Sequence, residues 1–273
     1  MKRITLHMKH APALRIDARA LLPAPLAELP AAEISAMALW HGTERIDVGD
    51  LFTVDIGETP CDVPQLVFEG DMRRFDRLGS RMDAGHLLVE GHAGDFVGVQ
   101  MSAGKIGVEG DCGSFAACEL TGGRIEISGN TGDFAGAALP GDMDGMRGGT
   151  LVIHGNAGAR LGDRMRRGTI VVFGSTGAFV ASRMVAGTIA IAGRVGEHPA
   201  YGMRRGSLLL LDAWPTTQRF AENSSDFDVF WRMLVPTLAR EGGAFAMLSR
   251  AHAPRRLRGD VSVQGKGEIL LPS

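Results

Sequence analysis

The residues most able to do chemistry in this 273-residue chain are its eight histidines, three cysteines and 29 lysines and arginines. His7, His10, His41, His86, His92, His154, His198 and His252 stand at neither H-x-H nor H-E-x-x-H spacing, so they do not read as a metal-ligand set. Cys61, Cys112 and Cys118 form no C-x-x-C pair and no even framework, which excludes a disulfide scaffold and a zinc knuckle. Nothing close to Cys112 or Cys118 in sequence would lower a thiol pKa, so both are expected to be buried and structural. The chain contains no G-x-S-x-G elbow, no kinase-type set and no G-x-x-x-x-G-K-[ST] phosphate loop. No catalytic residue and no metal site is therefore assigned.

Charge distribution is more informative. Between Gly85 and Met146 there are nine acids (Glu90, Asp95, Glu109, Asp111, Glu119, Glu126, Asp133, Asp142, Asp144) against Lys105 and Arg124, a net −7. Between Arg147 and Arg205 nine arginines stand against Asp163 and Glu197, a net +7. The overall charge of −2 conceals this reversal and argues against a general nucleic-acid binder. Rows of guanidinium forks suit carboxylates or phosphates. Arg147, Arg160, Arg164, Arg166, Arg167, Arg183, Arg204 and Arg205 are accordingly the candidate binding residues, with two readings. Either they are a solvated face or docking patch for an acidic subunit, or they guide an acidic ligand.

What must position these residues is a repeat. Units beginning at Gly85, Gly104, Gly123, Gly149, Gly168, Gly187 and Gly206 are 19 residues apart except for one of 26, and a degenerate earlier unit occupies Gln65 to Ala84. In each, the second and fourth residues after the first glycine are apolar (Leu87/Val89 through Leu208/Leu210), the alternation of a half-buried strand. Glycines recur at the sixth and ninth places, where either positive φ or close backbone approach is expected. Two further columns read as core: a methionine column (Met82, Met101, Met146, Met165, Met184, Met203, with Leu120 in the gap) and a phenylalanine column (Phe96, Phe115, Phe134, Phe179) in which Arg160 and His198 are departures. No unit can bury its apolar face alone, so the units must stack. The expected fold is an all-β parallel β-helix, a solenoid of about seven coils, with a small N-terminal cap layer and a C-terminal helix.

The expected boundaries are 1–60 for the N-terminal cap region, 61–212 for the solenoid and 213–273 for the C-terminal helix and tail. Ser224-Ser225-Asp226 to Arg240 reads as one helix, with Ser or Asp as N-cap, Gly242-Gly243 as its end, and apolar Phe227, Phe230, Trp231, Leu234 and Leu238. The outward column Leu88, Gly107, Glu126, Val152, Val171, Ala190, Leu209 turns apolar from Val152 onward, and Phe173 and Leu211 join it. A cover by that helix or by another subunit is expected there. The basic start Met1-Lys2-Arg3 is followed by Arg15, Arg19, Pro23 and Pro25, which interrupt any apolar stretch of signal-peptide or membrane length, so a cytoplasmic protein is expected.

The sequence resembles the C subunit of formylmethanofuran dehydrogenase. The resemblance is carried by Gly49-Asp50-Leu51-Phe52, by Gly145-Met146-Arg147-Gly148-Gly149 opening into GTLVIHGNAGARLG, by the 19-residue coils, and by Arg258-Gly259-Asp260 followed by Gly265-Lys266-Gly267-Glu268-Ile269-Leu270. The coils are also similar to the C-terminal glycine-repeat domain of glutamate synthase, and that likeness implies a right-handed β-helix. The family resemblance implies one of two settings. One is a molybdenum or tungsten dehydrogenase with iron–sulfur subunits. The other is a formyltransferase/hydrolase complex in which formyl groups pass from formyl-tetrahydromethanopterin to methanofuran and leave as formate. An Arg- and Ala-rich, Lys-poor composition points to a high-GC bacterium and so to the second setting, in one-carbon metabolism. The resemblance places the catalytic groups in partner subunits, amidohydrolase-like and formyltransferase chains, and implies no cofactor held tightly by this chain and a methanofuran-type cofactor at the level of the complex. It leaves the arginine rows as guides for an acidic cofactor arm or as partner contacts, and implies no nucleic acid and no membrane. Two other classes stand against this: a free acyltransferase, whose hexad repeats would give 18-residue coils, and an amidotransferase module, which would be fused to or encoded beside synthase domains.

Overall fold

The computed structural model describes residues 1–212, 214, 219–223 and 227–271. The chain is mostly β, dominated by a 13-stranded sheet with a smaller 4-stranded one. The strands His86–Glu90, Lys105–Val108, Arg124–Ile127, Arg147–Ile153, Arg167–Val172, Thr188–Ile191 and Ser207–Leu210 pair parallel, each with the next. Leu87, Ile106, Ile125, Leu151, Ile170, Ile189 and Leu208 consequently stand side by side on the buried face. The degenerate unit joins in the same way: Gln65–Glu69 pairs parallel with His86–Glu90. The chain ends extend the sheet. Lys2–Met8 lies parallel to Gln65–Glu69 and antiparallel to Phe52–Glu58, while Gly267–Leu271 pairs parallel with Ser207–Leu210 and is followed by Arg255–Gly259 and Phe220–Glu222.

A second line of contact runs beside the strands, through single parallel bridges from Met72 to Ala93, Cys112, Thr131, Ala157, Thr176 and Val195. Between these two lines the glycines at the sixth and ninth places fulfil one of the two expected roles. Their φ values are mostly ordinary, and what they permit is close approach: a Cβ on Gly155 would lie 2.6 Å from the Gly129 carbonyl oxygen and 2.7 Å from Asn130 Oδ1. The unit-opening glycines take the other role. Gly104 has φ +90°, and a Cβ there would meet the Gly85 carbonyl oxygen at 2.5 Å.

Side chains of the corner complete the rungs. Asp111 Oδ1 accepts the Asn130 backbone N–H at 2.7 Å, Asn130 Oδ1 accepts that of Asn156 at 2.8 Å, and Asn156 Oδ1 accepts that of Ser175 at 2.8 Å. A parallel file uses Asp95 toward Ser114 and Asp133 toward Ala159, at 2.8 and 2.7 Å. Three acids of the negative half therefore satisfy backbone donors of the next rung. The Asn130 N–H holds the Asp111 carboxyl below the usual range, as a hydrogen bond to the charged form must.

One contiguous core contains the strand interior and the whole methionine column, with Met82, Met101, Met146, Met165, Met184 and Met203 all essentially inaccessible. The phenylalanine column does not belong to it, contrary to the expectation above. Phe96, Phe115 and Phe134 are half-buried and rest on a separate small cluster of Val99, Cys118 and Ala137. The physical reason is the next residue along: Val97, Ala116, Ala135, Leu161 and Val180 point inward and fill the core, which turns their predecessors outward.

The helix Asp228–Ala239 lies on the outward apolar strip, its Trp231, Leu234, Val235 and Leu238 packing with Val152, Val171, Ala190 and Leu209. Phe230, expected on the buried side, is 39 % exposed, and Val235 takes the inner place. The expected N-cap at Ser224-Ser225-Asp226 lies outside the described residues.

Candidate functional site

The stacking register sorts the eight candidate arginines into those the fold employs and those it leaves outside. Arg183 is employed: its Nε and Nη2 donate to the carboxylate of Asp163 at 3.0 and 2.5 Å, and Asp163 is only 4 % exposed. Arg164 Nη1 donates to the Asp142 carbonyl oxygen at 2.8 Å and lies 2.9 Å from Met143 Sδ, pinning the seven-residue excess of the long unit. Arg166 forms an ion pair with Asp144 on the same excursion. Arg147 stands 3.7 Å from the buried carboxylate of Glu119. The negative and positive halves thus neutralise one another in part where they meet, through Asp144 and Glu119, while Asp142 contributes its backbone carbonyl.

The remaining four differ. The side chains of Arg167, Arg204 and Arg205 are exposed and make no hydrogen bond or ion pair among the described residues. Arg167 is the ladder partner of Arg147, and Arg204 and Arg205 follow two rungs on, about 10 Å away at the usual strand spacing. Lys266 lies on the next rung, its backbone N–H donating to the Arg204 carbonyl oxygen at 2.7 Å. Arg160 lies against rings, with its guanidinium carbon 5.8 Å from the Phe134 centroid and 5.0 Å from that of Phe179, and its side chain makes no hydrogen bond or ion pair among the described residues.

Sequence reasoning missed the setting of Arg160. It belongs to an outward file with the phenylalanines, and its presence there, with His198 in the equivalent place, is the signal: a column that accepts Arg and His faces water. A second cluster was also missed. Arg124 donates to both Glu241 oxygens at 3.1 and 2.7 Å and lies 3.2 Å from Glu126, which is hydrogen-bonded to His154 at 2.9 Å. It joins the repeats to the end of the covering helix. The hydrogen bond from His154, followed by the charge of Arg124, holds the Glu126 carboxyl below its usual range despite its partial burial.

Burial pushes the Cys112 and Cys118 thiols well up, so both stay protonated at neutral pH. Among the described residues no group of three or more His, Cys, Asp or Glu could hold a metal ion, and no helix is long and apolar enough to cross a membrane.

The chain matches no protein-family profile. It is 35% identical over 100 residues to the C subunit of the tungsten-containing formylmethanofuran dehydrogenase 2 of Methanothermobacter wolfeii, a stretch covering 36% of each chain. It is 33% identical over 95 residues to the C subunit of the molybdenum-containing formylmethanofuran dehydrogenase 1 of Methanosarcina barkeri, covering 34% of this chain and 32% of the relative. The match to these relatives thus spans about a third of their length. A chain in the crystal structure of the formyltransferase/hydrolase complex (FhcABCD) from Methylorubrum extorquens, in complex with methylofuran, is similar throughout: 39% identity, TM-score 0.89, 98% of this chain and 99% of that one. The likeness to that chain runs through the repeat and both ends, and the protein belongs to the family of formylmethanofuran dehydrogenase C subunits.

Proposed function

We propose that this protein is a non-catalytic scaffold subunit of a formyltransferase/hydrolase complex. Such a complex converts formyl-tetrahydromethanopterin, by way of formylmethanofuran, to formate in cytoplasmic one-carbon metabolism. The observation that carries the reading is the likeness at 39% identity over 98% of the chain to a component of such a complex. A rod built from hydrogen-bonded rungs, its core filled by aliphatic and methionine side chains, suits holding other subunits at fixed separation. We read the stacked units as a right-handed parallel β-helix over 61–212, flanked by the cap region 1–60 and the helical tail 213–273.

Companions of amidohydrolase-like and formyltransferase type carry the chemistry in this reading, and a methanofuran-type cofactor belongs to the assembly. Arg167, Arg204 and Arg205, which have no ion-pair partner among the described residues, are its contact for carboxylates, whether of a cofactor arm or of a companion chain, with Arg147, Arg160, Arg164, Arg166 and Arg183 as the surrounding positive field. The dehydrogenase alternative rests on the shorter matches to the tungsten and molybdenum relatives.

The test is to express the companion subunits with and without this chain and to measure formate release from formyl-tetrahydromethanopterin. Turnover that requires the chain, in an assembly free of tungsten and molybdenum, supports the proposal; turnover by the isolated chain, or an assembly carrying either metal, overturns it. Arg167→Ala with Arg204→Ala and Arg205→Ala tests the contact: unchanged cofactor affinity, turnover and companion binding would remove it from the account.

A further inference from the structure

The outward aromatic file has no role in the function proposed so far. Phe96, Phe115 and Phe134 stack with centroids 4.9 and 5.0 Å apart and planes within 8° and 5° of parallel. Cations continue the file at both ends. The Arg77 guanidinium lies 5.1 Å from the Phe96 ring, and Arg160 bridges Phe134 to Phe179. Phe179 meets His198 at 5.1 Å and Tyr201 at 5.9 Å, and Arg219 stands 4.5 Å from the Tyr201 ring. One face of the stack therefore carries an unbroken line of rings and guanidiniums.

The backbone beneath is costly. Phe96, Phe115, Phe134, Arg160, Phe179 and His198 have φ from +56° to +63°, a region unfavourable for an L-residue and open to glycine. Stacking of the rings works against that strain. The rings stay half-buried, with a groove on either side of Leu139 of about 390 and 420 Å³. Met143, 71% exposed, lines the second groove, and Tyr201, 48% exposed, stands beside Phe179 at the far end of the file.

The charges lining the two grooves are mainly positive, with Arg19, Arg77, Arg81, Arg164 and Arg183 against Asp142 and Asp163. Rings stacked like coins turn their hydrogen-bearing rims outward, and an aromatic rim is the positive part of the ring quadrupole. Guanidiniums fill the places between and beside them, among them Arg81, whose hydrogen bond is to the neutral Gln100 at 2.9 Å. Of the acids nearby, Asp17 is paired with Arg19 and, at 3.4 Å, with Arg77, Asp163 is paired with Arg183, and the exposed Asp142 lines the groove beside Met143.

We propose that this face docks an acidic segment of a companion protein, whose carboxylates meet Arg77, Arg81, Arg160 and the phenylalanine rims while its apolar side chains seat in the grooves beside Leu139. The proposal rests on the assembly reading above and adds which surface the companion uses. Arginines and half-buried aromatic rings in one concave strip are the composition of an interface hot spot.

The experiment uses the complex purified through the tagged full-length chain, with a photocrosslinking residue placed at Met143 or Tyr201. Two variants are compared with the unaltered chain. Phe115→Gly with Phe134→Gly removes the rings while relaxing the backbone, and Arg160→Glu reverses a charge that makes no hydrogen bond or ion pair among the described residues. Each is expected to weaken companion association at least tenfold with the thermal midpoint of the chain retained, and crosslinks are expected in a carboxylate-rich companion segment. Met233→Ala, on the exposed side of the C-terminal helix, should change nothing. Unchanged association of both variants, or crosslinks only to a second copy or to carboxylate-poor segments, overturns the docking proposal while the assembly reading stands. If no companion co-purifies with the unaltered chain, both fall together.

Discussion

Arg183→Ala separates arginines that hold the fold from those that face a partner. Its guanidinium makes two hydrogen bonds, at 3.0 and 2.5 Å, to a carboxylate that is otherwise almost sealed from water; the next nearest cation, Arg164 Nε, is 4.0 Å away. Stripping the partner from a buried ion costs about 3–5 kcal/mol. Here the Arg183 side chain is 41% exposed, so water reaches the vacancy and rehydrates one edge of Asp163, which brings the expected loss to about 2 kcal/mol. For a chain of this size that corresponds to a fall of about 4–8 °C in thermal midpoint, read by calorimetry. Asp163→Ala combined with Arg183→Ala leaves no orphan charge and should recover about half of the loss. Arg204→Ala, which removes an outward side chain with no partner among the described residues, should stay within about 0.5 kcal/mol of the unaltered protein. The reasoning is refuted if Arg183→Ala is as stable as Arg204→Ala, or if the double variant is no more stable than Arg183→Ala alone.

The corner file predicts that Asp111→Asn is nearly neutral, since Asn130 and Asn156 do the same work, whereas Asp111→Ala loses about 1 kcal/mol in urea denaturation. Gly155→Ala should cost about 3 kcal/mol because its Cβ would strike backbone, while Gly107→Ala, whose Cβ meets only Leu88 Cδ1 at 3.2 Å, should be tolerated; purification yield and midpoint compare them. Glu126 gives a pH dependence. Its folded-state pKa is lowered, so its stabilisation is complete above the unfolded carboxyl value and disappears as pH falls through the lower folded value. An acid titration followed by Trp231 fluorescence should lose that component in Glu126→Gln; an unchanged profile would remove Glu126 from the seam.

The parts of the fold that depend on period were readable in advance. Alternation after each opening glycine located every repeat strand, and the turn from Glu126 to Val152 in the outward column located a covered surface, which the helix occupies. What depends on direction was not. A phenylalanine every 19 residues is compatible with either side of a corner, and only the left-handed φ at Phe96 and its successors turns the rings out. Asp95, Asp111 and Asp133 counted as charge in the sequence, yet each carboxylate accepts a backbone N–H from the following rung. Likewise Arg164, Arg166 and Arg183 looked equivalent to Arg204 and Arg205 until the long unit brought Asp142 and Asp144 over the first two, and stacking set Asp163 beside the third. Spacing along the chain does not encode which charges an excursion will fold back to meet.

The central claim, that this chain is a scaffold for catalytic subunits, is tested most directly by native mass spectrometry of the assembly purified through the full-length protein. The account predicts a stable heteromer in which it sits with amidohydrolase-like and formyltransferase subunits. A chain recovered alone and active, or bound instead to metal–pterin and iron–sulfur subunits, would contradict it.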